Sequence, residues 1–177
     1  SDWTARLWDA RTGSALHTLK GHISRVVAAS FSPDGSRVVT ASDDGTARLW
    51  DTMTGASLLT LKEHTDTVIA ASISPDGRYV VTASRDGTAR LWDAKTGATL
   101  HILKGHTNWV VAASISPDGN RVVTASRDGT QRLWDARTGA ELLSLAGYAA
   151  WVVGASFSAD GSRVVTASSD GTARLWD

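Results

Sequence analysis

The chain has 177 residues, with 18 Lys and Arg balanced by 18 Asp and Glu, 42% apolar residues and no Cys. A chain this long buries roughly two thirds of its unfolded surface, which suits one core. Interspersed, balanced charge lacks the cationic excess on which nucleic-acid and anionic-membrane affinity rests, so neither partner is expected, and the lack of Cys excludes disulfides, thiolate catalysis and Cys-ligated metal centres.

The first nine residues, SDWTARLWD, return at the far end as SDGTARLWD, with Trp3 where Gly171 stands. Between them the triplet Leu-Trp-Asp recurs at Trp8, Trp50, Trp92, Trp134 and Trp176, every step being 42 residues without insertion or deletion. The repeat units are 10–51, 52–93, 94–135 and 136–177, and residues 1–9 are an extra copy of the third strand. A start at Ser1-Asp2-Trp3, with neither Met nor a signal-peptide pattern, is expected of a processed, excised or engineered chain. Composition leaves the compartment open, with the cytoplasm as the default expectation. No apolar run approaches the ~20 residues of a membrane-spanning helix.

In chain order, the extra third strand is followed by a fourth over Leu16–Lys20. The first full unit then predicts strands near Val26–Ser32, Arg37–Ser42, Thr46–Asp51 and Ser57–Lys62. Pro-Asp-Gly and Asp-Asp-Gly separate them and supply the fixed and the positive φ that tight hairpin turns need. The segments are short, rich in Val, Thr, Leu and Trp, and carry no sustained helical period. Each unit is therefore a four-stranded antiparallel meander. Val26-Val27-Ala28-Ala29 and Val38-Val39 are apolar on both faces of their sheet. A single small meander cannot cover both its own faces, but one stacked against its copies around an axis can. The fold class is all-β, a β-propeller with four blades per chain, forming one domain or half of one. Small residues such as Ala28, Ala29, Ser30, Ala112, Ala113 and Ser114 place the first strand nearest the axis.

Residues 21–51, GHISRVVAASFSPDGSRVVTASDDGTARLWD, recur in register three more times and resemble the WD-repeat family of β-propellers. The resemblance implies a hydrogen-bonded set in each blade: His22, Thr40, Asp44 and Trp50; His64, Thr82, Asp86 and Trp92; His106, Thr124, Asp128 and Trp134. In the fourth set Tyr148 replaces the histidine, leaving Thr166, Asp170 and Trp176. A His, Thr and Asp that recur at the same place in every blade serve folding, since a catalytic or metal site is a single asymmetric constellation. No catalytic residue, metal ligand or cofactor is expected, and the fourth blade, whose Asp170 has no imidazole, should be the weakest. The arginine before each Leu-Trp-Asp (Arg6, Arg48, Arg90, Arg132, Arg174) reads as a partner of the repeated acidic residues and of solvent.

Function is sought where the copies diverge. Three residues after the Gly-His histidine the units read Arg25, Thr67, Trp109 and Trp151, and the residue before the turn aspartate reads Asp43, Arg85, Arg127 and Ser169. The resemblance places both columns on the wider channel entrance, the partner-binding top face. Trp beside Arg has the composition of an interface hot spot for other proteins or peptides. Packing between blades is the structural alternative. The expected function is a non-catalytic interaction scaffold, with a small-ligand or carbohydrate binder at the channel mouth as the rival.

The strand count is four first, four second, five third and four fourth strands. The C-terminal blade lacks a fourth strand, which Leu16–Lys20 can supply. Exchange of that strand between two chains would give a homodimeric eight-bladed ring with no unpaired sheet edge. The segments Thr4–Trp8 and Thr172–Trp176 then compete for one slot, and the N-terminal copy is expected to be displaced or to add an outer contact, with Trp3 tolerated because no turn is needed there.

Overall fold

The computed structural model describes residues 2–148 and 150–177. Every element is a strand. An N-terminal hairpin joins β1 (Ala5–Trp8) to β2 (Ala15–Leu19). Blade 1 contains β3 (Val26–Phe31), β4 (Arg37–Ser42), β5 (Ala47–Asp51) and β6 (Ser57–Leu61). Blade 2 contains β7 (Val68–Ile73), β8 (Tyr79–Ser84), β9 (Ala89–Asp93) and β10 (Thr99–Leu103). Blade 3 contains β11 (Val110–Ile115), β12 (Arg121–Ser126), β13 (Gln131–Asp135) and β14 (Glu141–Leu145). Blade 4 has β15 (Val152–Phe157), β16 (Val164–Ser168) and β17 (Ala173–Trp176). The strands of blade 1 match the sequence-based boundaries to within one residue. Blades 1 to 3 are sequential antiparallel meanders and blade 4 is a three-stranded one.

Register explains the paired apolar residues. Val38 lies opposite Trp50, and Val39 opposite Leu49, which in turn faces Leu59. Adjacent residues on a strand point to opposite faces, so Val38 and Trp50 cover one face while Val39 and Leu49 cover the other. The core lies in the seams between sheets. Val39, Leu49 and Leu61 of blade 1 pack with Val68, Ile73, Val80 and Trp92 of blade 2. The equivalent Val81, Leu91 and Leu103 pack with Val110, Ile115, Val122 and Trp134 of blade 3. The N-terminal hairpin fills only part of a seam, placing Leu7 and Leu19 on Val38 and Trp50. In the Asp-Asp-Gly turn Gly45 sits at φ +78°, a left-handed conformation that side chains strain to adopt.

The stack is not closed. On blade 4, Val165 is 45% and Leu175 63% exposed, whereas Val39 is 0% and Leu49 1% exposed at the same repeat positions. At the other end Phe31 is 60% exposed, against 5% for Ile73, because the hairpin covers only the outer part of blade 1. Within the single chain β1 pairs with β2 and buries Leu7; the expected competition with the C-terminal copy arises only between two chains. One sequence expectation needs correction. Trp3 retains the positive φ of the glycines it replaces, +56°, so its turn geometry persists without a preceding strand.

Candidate functional site

Each linked set is built around a threonine on a second strand. In blade 1, Trp50 Nε1–H donates to Thr40 Oγ1 at 2.8 Å, His22 Nε2 lies 2.8 Å from the same hydroxyl, and His22 Nδ1 lies 2.8 Å from Asp44 Oδ2. Blade 2 repeats this with Trp92, Thr82, His64 and Asp86 at 2.9, 2.7 and 2.7 Å. Blade 3 does so with Trp134, Thr124, His106 and Asp128 at 2.9, 2.8 and 2.8 Å. The bonding assigns one tautomer: the threonine hydroxyl accepts from the indole and donates to Nε2, leaving Nδ1–H to donate to the carboxylate.

In blade 4, Trp176 Nε1–H donates to Thr166 Oγ1 at 2.8 Å, and the Tyr148 hydroxyl reaches that oxygen at 2.8 Å. Tyr148 thus replaces half of the imidazole's bonding. Among the described residues it makes no bond to Asp170, whose side chain takes Thr172.

Burial pushes His22 and His106 below the ordinary histidine pKa, against the opposing pull of Asp44 and Asp128, so both rings are neutral at pH 7. Burial alone would raise the aspartates. Hydrogen bonds from Thr46, His22 and the Ile23 N–H nevertheless hold Asp44 down, and bonds from Thr130, the Thr107 N–H and His106 hold Asp128 at about 2. Asp86 is held lower still by His64 and Thr88, again against burial. In blades 1 and 3 a neutral imidazole is locked between an ionised carboxylate and a threonine hydroxyl that the indole also occupies. Its chemistry is that of a strut.

The divergent columns meet elsewhere. Backbone bonds tie them residue to residue, Asp43 N–H to Arg25 O, Arg85 to Thr67, Arg127 to Trp109 and Ser169 to Trp151, at 2.9–3.0 Å. Arg25, Asp43, Thr67, Arg85, Trp109 and Arg127 line one open cavity of about 360 Å³. Its wall is Val27, Ile69, Val111 and Val153, one from each first strand. Trp151 and Ser169 are not among the lining residues, but Trp151 joins the rim through Arg127. The guanidinium carbons of Arg85 and Arg127 lie 4.4 and 4.3 Å from the Trp109 ring centre, and Arg127 lies 4.7 Å from that of Trp151. The side chains therefore interleave as Arg85, Trp109, Arg127, Trp151 across three blades. Arg25 instead pairs with Asp43 at 2.9 Å.

Sequence reasoning had missed the apolar wall. Its signal was present in the second residue of each first strand, hidden in the general apolar character of those strands. The arginine column before Leu-Trp-Asp divides: Arg6 pairs with Asp2, Arg90 with Glu63 and Arg132 with Glu141. Arg48 and Arg174 lie over Trp50 and Tyr148, and Arg90 lies over Trp92 as well as pairing with Glu63.

The WD domain, G-beta repeat family matches residues 13–51, 55–93, 97–135 and 139–177. Among curated proteins, ribosome assembly protein 4 of Saccharomyces cerevisiae is 51% identical over 39 residues, 22% of this chain and 8% of that protein. The guanine nucleotide-binding protein subunit beta of Solanum tuberosum is 56% identical over 45 residues, 25% of this chain and 12% of that protein. The subunit beta of Arabidopsis thaliana is 53% identical over 45 residues, again 25% of this chain and 12% of that protein. Each alignment thus spans about one repeat, a small fraction of its relative's length. With a family match in every repeat unit, and with stacked antiparallel meanders whose cores lie between them, the chain belongs to the WD-repeat family.

Proposed function

We propose that this chain is a non-catalytic protein-interaction scaffold, and that two copies complete an eight-bladed ring whose top face receives other proteins or peptides. The observation that carries the ring is the uncovered face of blade 4, whose Val165 and Leu175 are exposed where the same repeat positions in blades 1 to 3 are at most 8% exposed. Burying the exposed half of each such side chain would stabilise an assembly by about 1 kcal/mol apiece.

The chain ends are complementary. Blade 4 has the inner three strands of a blade and the N-terminal hairpin has the outer two, so β2 of one copy can pair with β17 of the other once β1, a second copy of the third strand, gives up that edge. The polar contacts have the same period. Arg37 donates to Gly77 O of the next blade and Arg121 to Gly161 O, each at 2.7 Å. Arg163, at the open end, turns to Asp177; the following turn in phase is that of Gly35 on a second copy.

Size exclusion with light scattering tests the assembly. Twice the 18.7 kDa of one chain is expected. Leu175→Glu should return the protein to the single-chain mass, while Leu58→Glu on the outer strand β6 should leave the doubled mass unchanged. A single-chain mass for the unaltered protein overturns the ring.

A further inference from the structure

At the position where blade 1 carries Asp43, blades 2 and 3 carry Arg85 and Arg127. Asp43 has its counter-ion in Arg25. Among the described residues neither Arg85 nor Arg127 pairs with a carboxylate, and neither guanidinium donates a hydrogen bond. What holds them is aromatic: both guanidiniums lie against the Trp109 ring, and Trp151 backs Arg127. Held over the aromatic rings without a carboxylate partner among the described residues, the two groups keep N–H donors that can read carboxylates. Arg85 Nε is buried with no acceptor. Fixed by their stacks, the two cations lose little side-chain freedom when a ligand arrives. Low-dielectric walls also strengthen their field within the cavity.

Two further demands narrow the ligand. The cavity wall of Val27, Ile69, Val111 and Val153 suits an apolar group. On blade 1 of the same cavity, Asp43 Oδ1 is buried without a donor and calls for an N–H. An inorganic anion has no apolar group for the wall, and a neutral sugar has no charge for the arginines. A peptide with acidic side chains offers carboxylates, an apolar side chain and main-chain N–H groups together. We propose that the channel rim is a docking site for an acidic peptide segment. Its carboxylates bind the N–H donors of Arg85 and Arg127, an apolar side chain enters the cavity, and a main-chain N–H donates to Asp43. This inference rests on the top-face reading above and specifies the partner.

The test is calorimetric titration of the intact protein with the blocked peptide Glu-Leu-Glu-Leu-Glu, with Gln-Leu-Gln-Leu-Gln, with inorganic phosphate and with maltose. The acidic peptide should bind, weaken with added salt, and lose roughly ten-fold or more in affinity with Arg85→Gln or Arg127→Gln. Arg127→Lys should fall between, because it keeps the charge without the planar fork. Unchanged thermal unfolding would establish that each variant is folded. Equal binding of the glutamine peptide, still lost with Trp109→Ala, overturns the acidic specificity and leaves the interface standing. Binding of neither peptide overturns both. Phosphate or maltose binding as tightly as the acidic peptide would make the cavity an ion or sugar site and also overturn the proposal.

Discussion

Threonine occupies the centre of each linked set because a hydroxyl can accept from an indole and donate to an imidazole nitrogen at once. Thr82→Val keeps the shape but leaves the Trp92 N–H and His64 Nε2 without their shared partner. Each buried group left unmatched costs about 1–3 kcal/mol, so a loss of about 2–4 kcal/mol in urea unfolding is expected, with Thr82→Ser losing clearly less. The reverse change is available at Gln131. Its side chain is fully buried in blade 3, and among the described residues neither amide atom has a hydrogen-bond partner. The other full units carry Ala47, Ala89 and Ala173 at that position. Gln131→Ala should therefore stabilise the protein by about 1–2 kcal/mol in the same experiment. A loss of stability would mean that the amide is satisfied in solution.

Blades differ in how they should respond to acid. The pKa values of His22 and His106 are depressed in the folded state, so above pH 6.5, the ordinary histidine value, both rings are neutral folded or unfolded. Below it the unfolded chain binds protons first, and stability falls until the depressed folded value is passed. Asp44 and Asp128 contribute stability above the ordinary carboxylate value of 3.8, and lose it as pH falls through their lower folded values, about 2 for Asp128. Blade 4 has Tyr148 in place of the imidazole and lacks the first of these losses. Hydrogen exchange corrected for intrinsic rates should show blades 1 and 3 losing protection between pH 7 and 5 while blade 4 changes little. At pH 7 blade 4 should be the least protected; protection equal to that of blade 2 would refute this. Strand positions and two-sided burial were legible in the sequence, because period, turn chemistry and register determine them; the placement of the divergent columns was implied only by the family resemblance. The substitute bond from Tyr148 to Thr166 was not legible, because the reach of a longer ring depends on the local backbone. Nor was the φ of Trp3, since that position is glycine in the other copies and glycine conceals the strain.

For the whole molecule, the N-terminal hairpin would set the terms of the proposed assembly. Strand β1 holds the edge of β2 that an incoming β17 would need. Deleting residues 1–9 frees that edge and removes a competitor, so the shortened chain should dimerise at lower concentration and faster than the intact one, as followed by light scattering on dilution. Slower or weaker dimerisation would assign β1 a supporting role. The near-identity of the seams has a consequence of another kind. Val39 and Leu49 meet Val80 and Trp92 just as Val81 and Leu91 meet Val122 and Trp134, so one blade can follow another without any new contact being invented. The 42-residue unit is thus a unit of packing as well as of folding. A whole unit inserted beside blade 2 would meet both neighbours through contacts already present, whereas one inserted after blade 3 would meet Gln131 where the other units carry alanine.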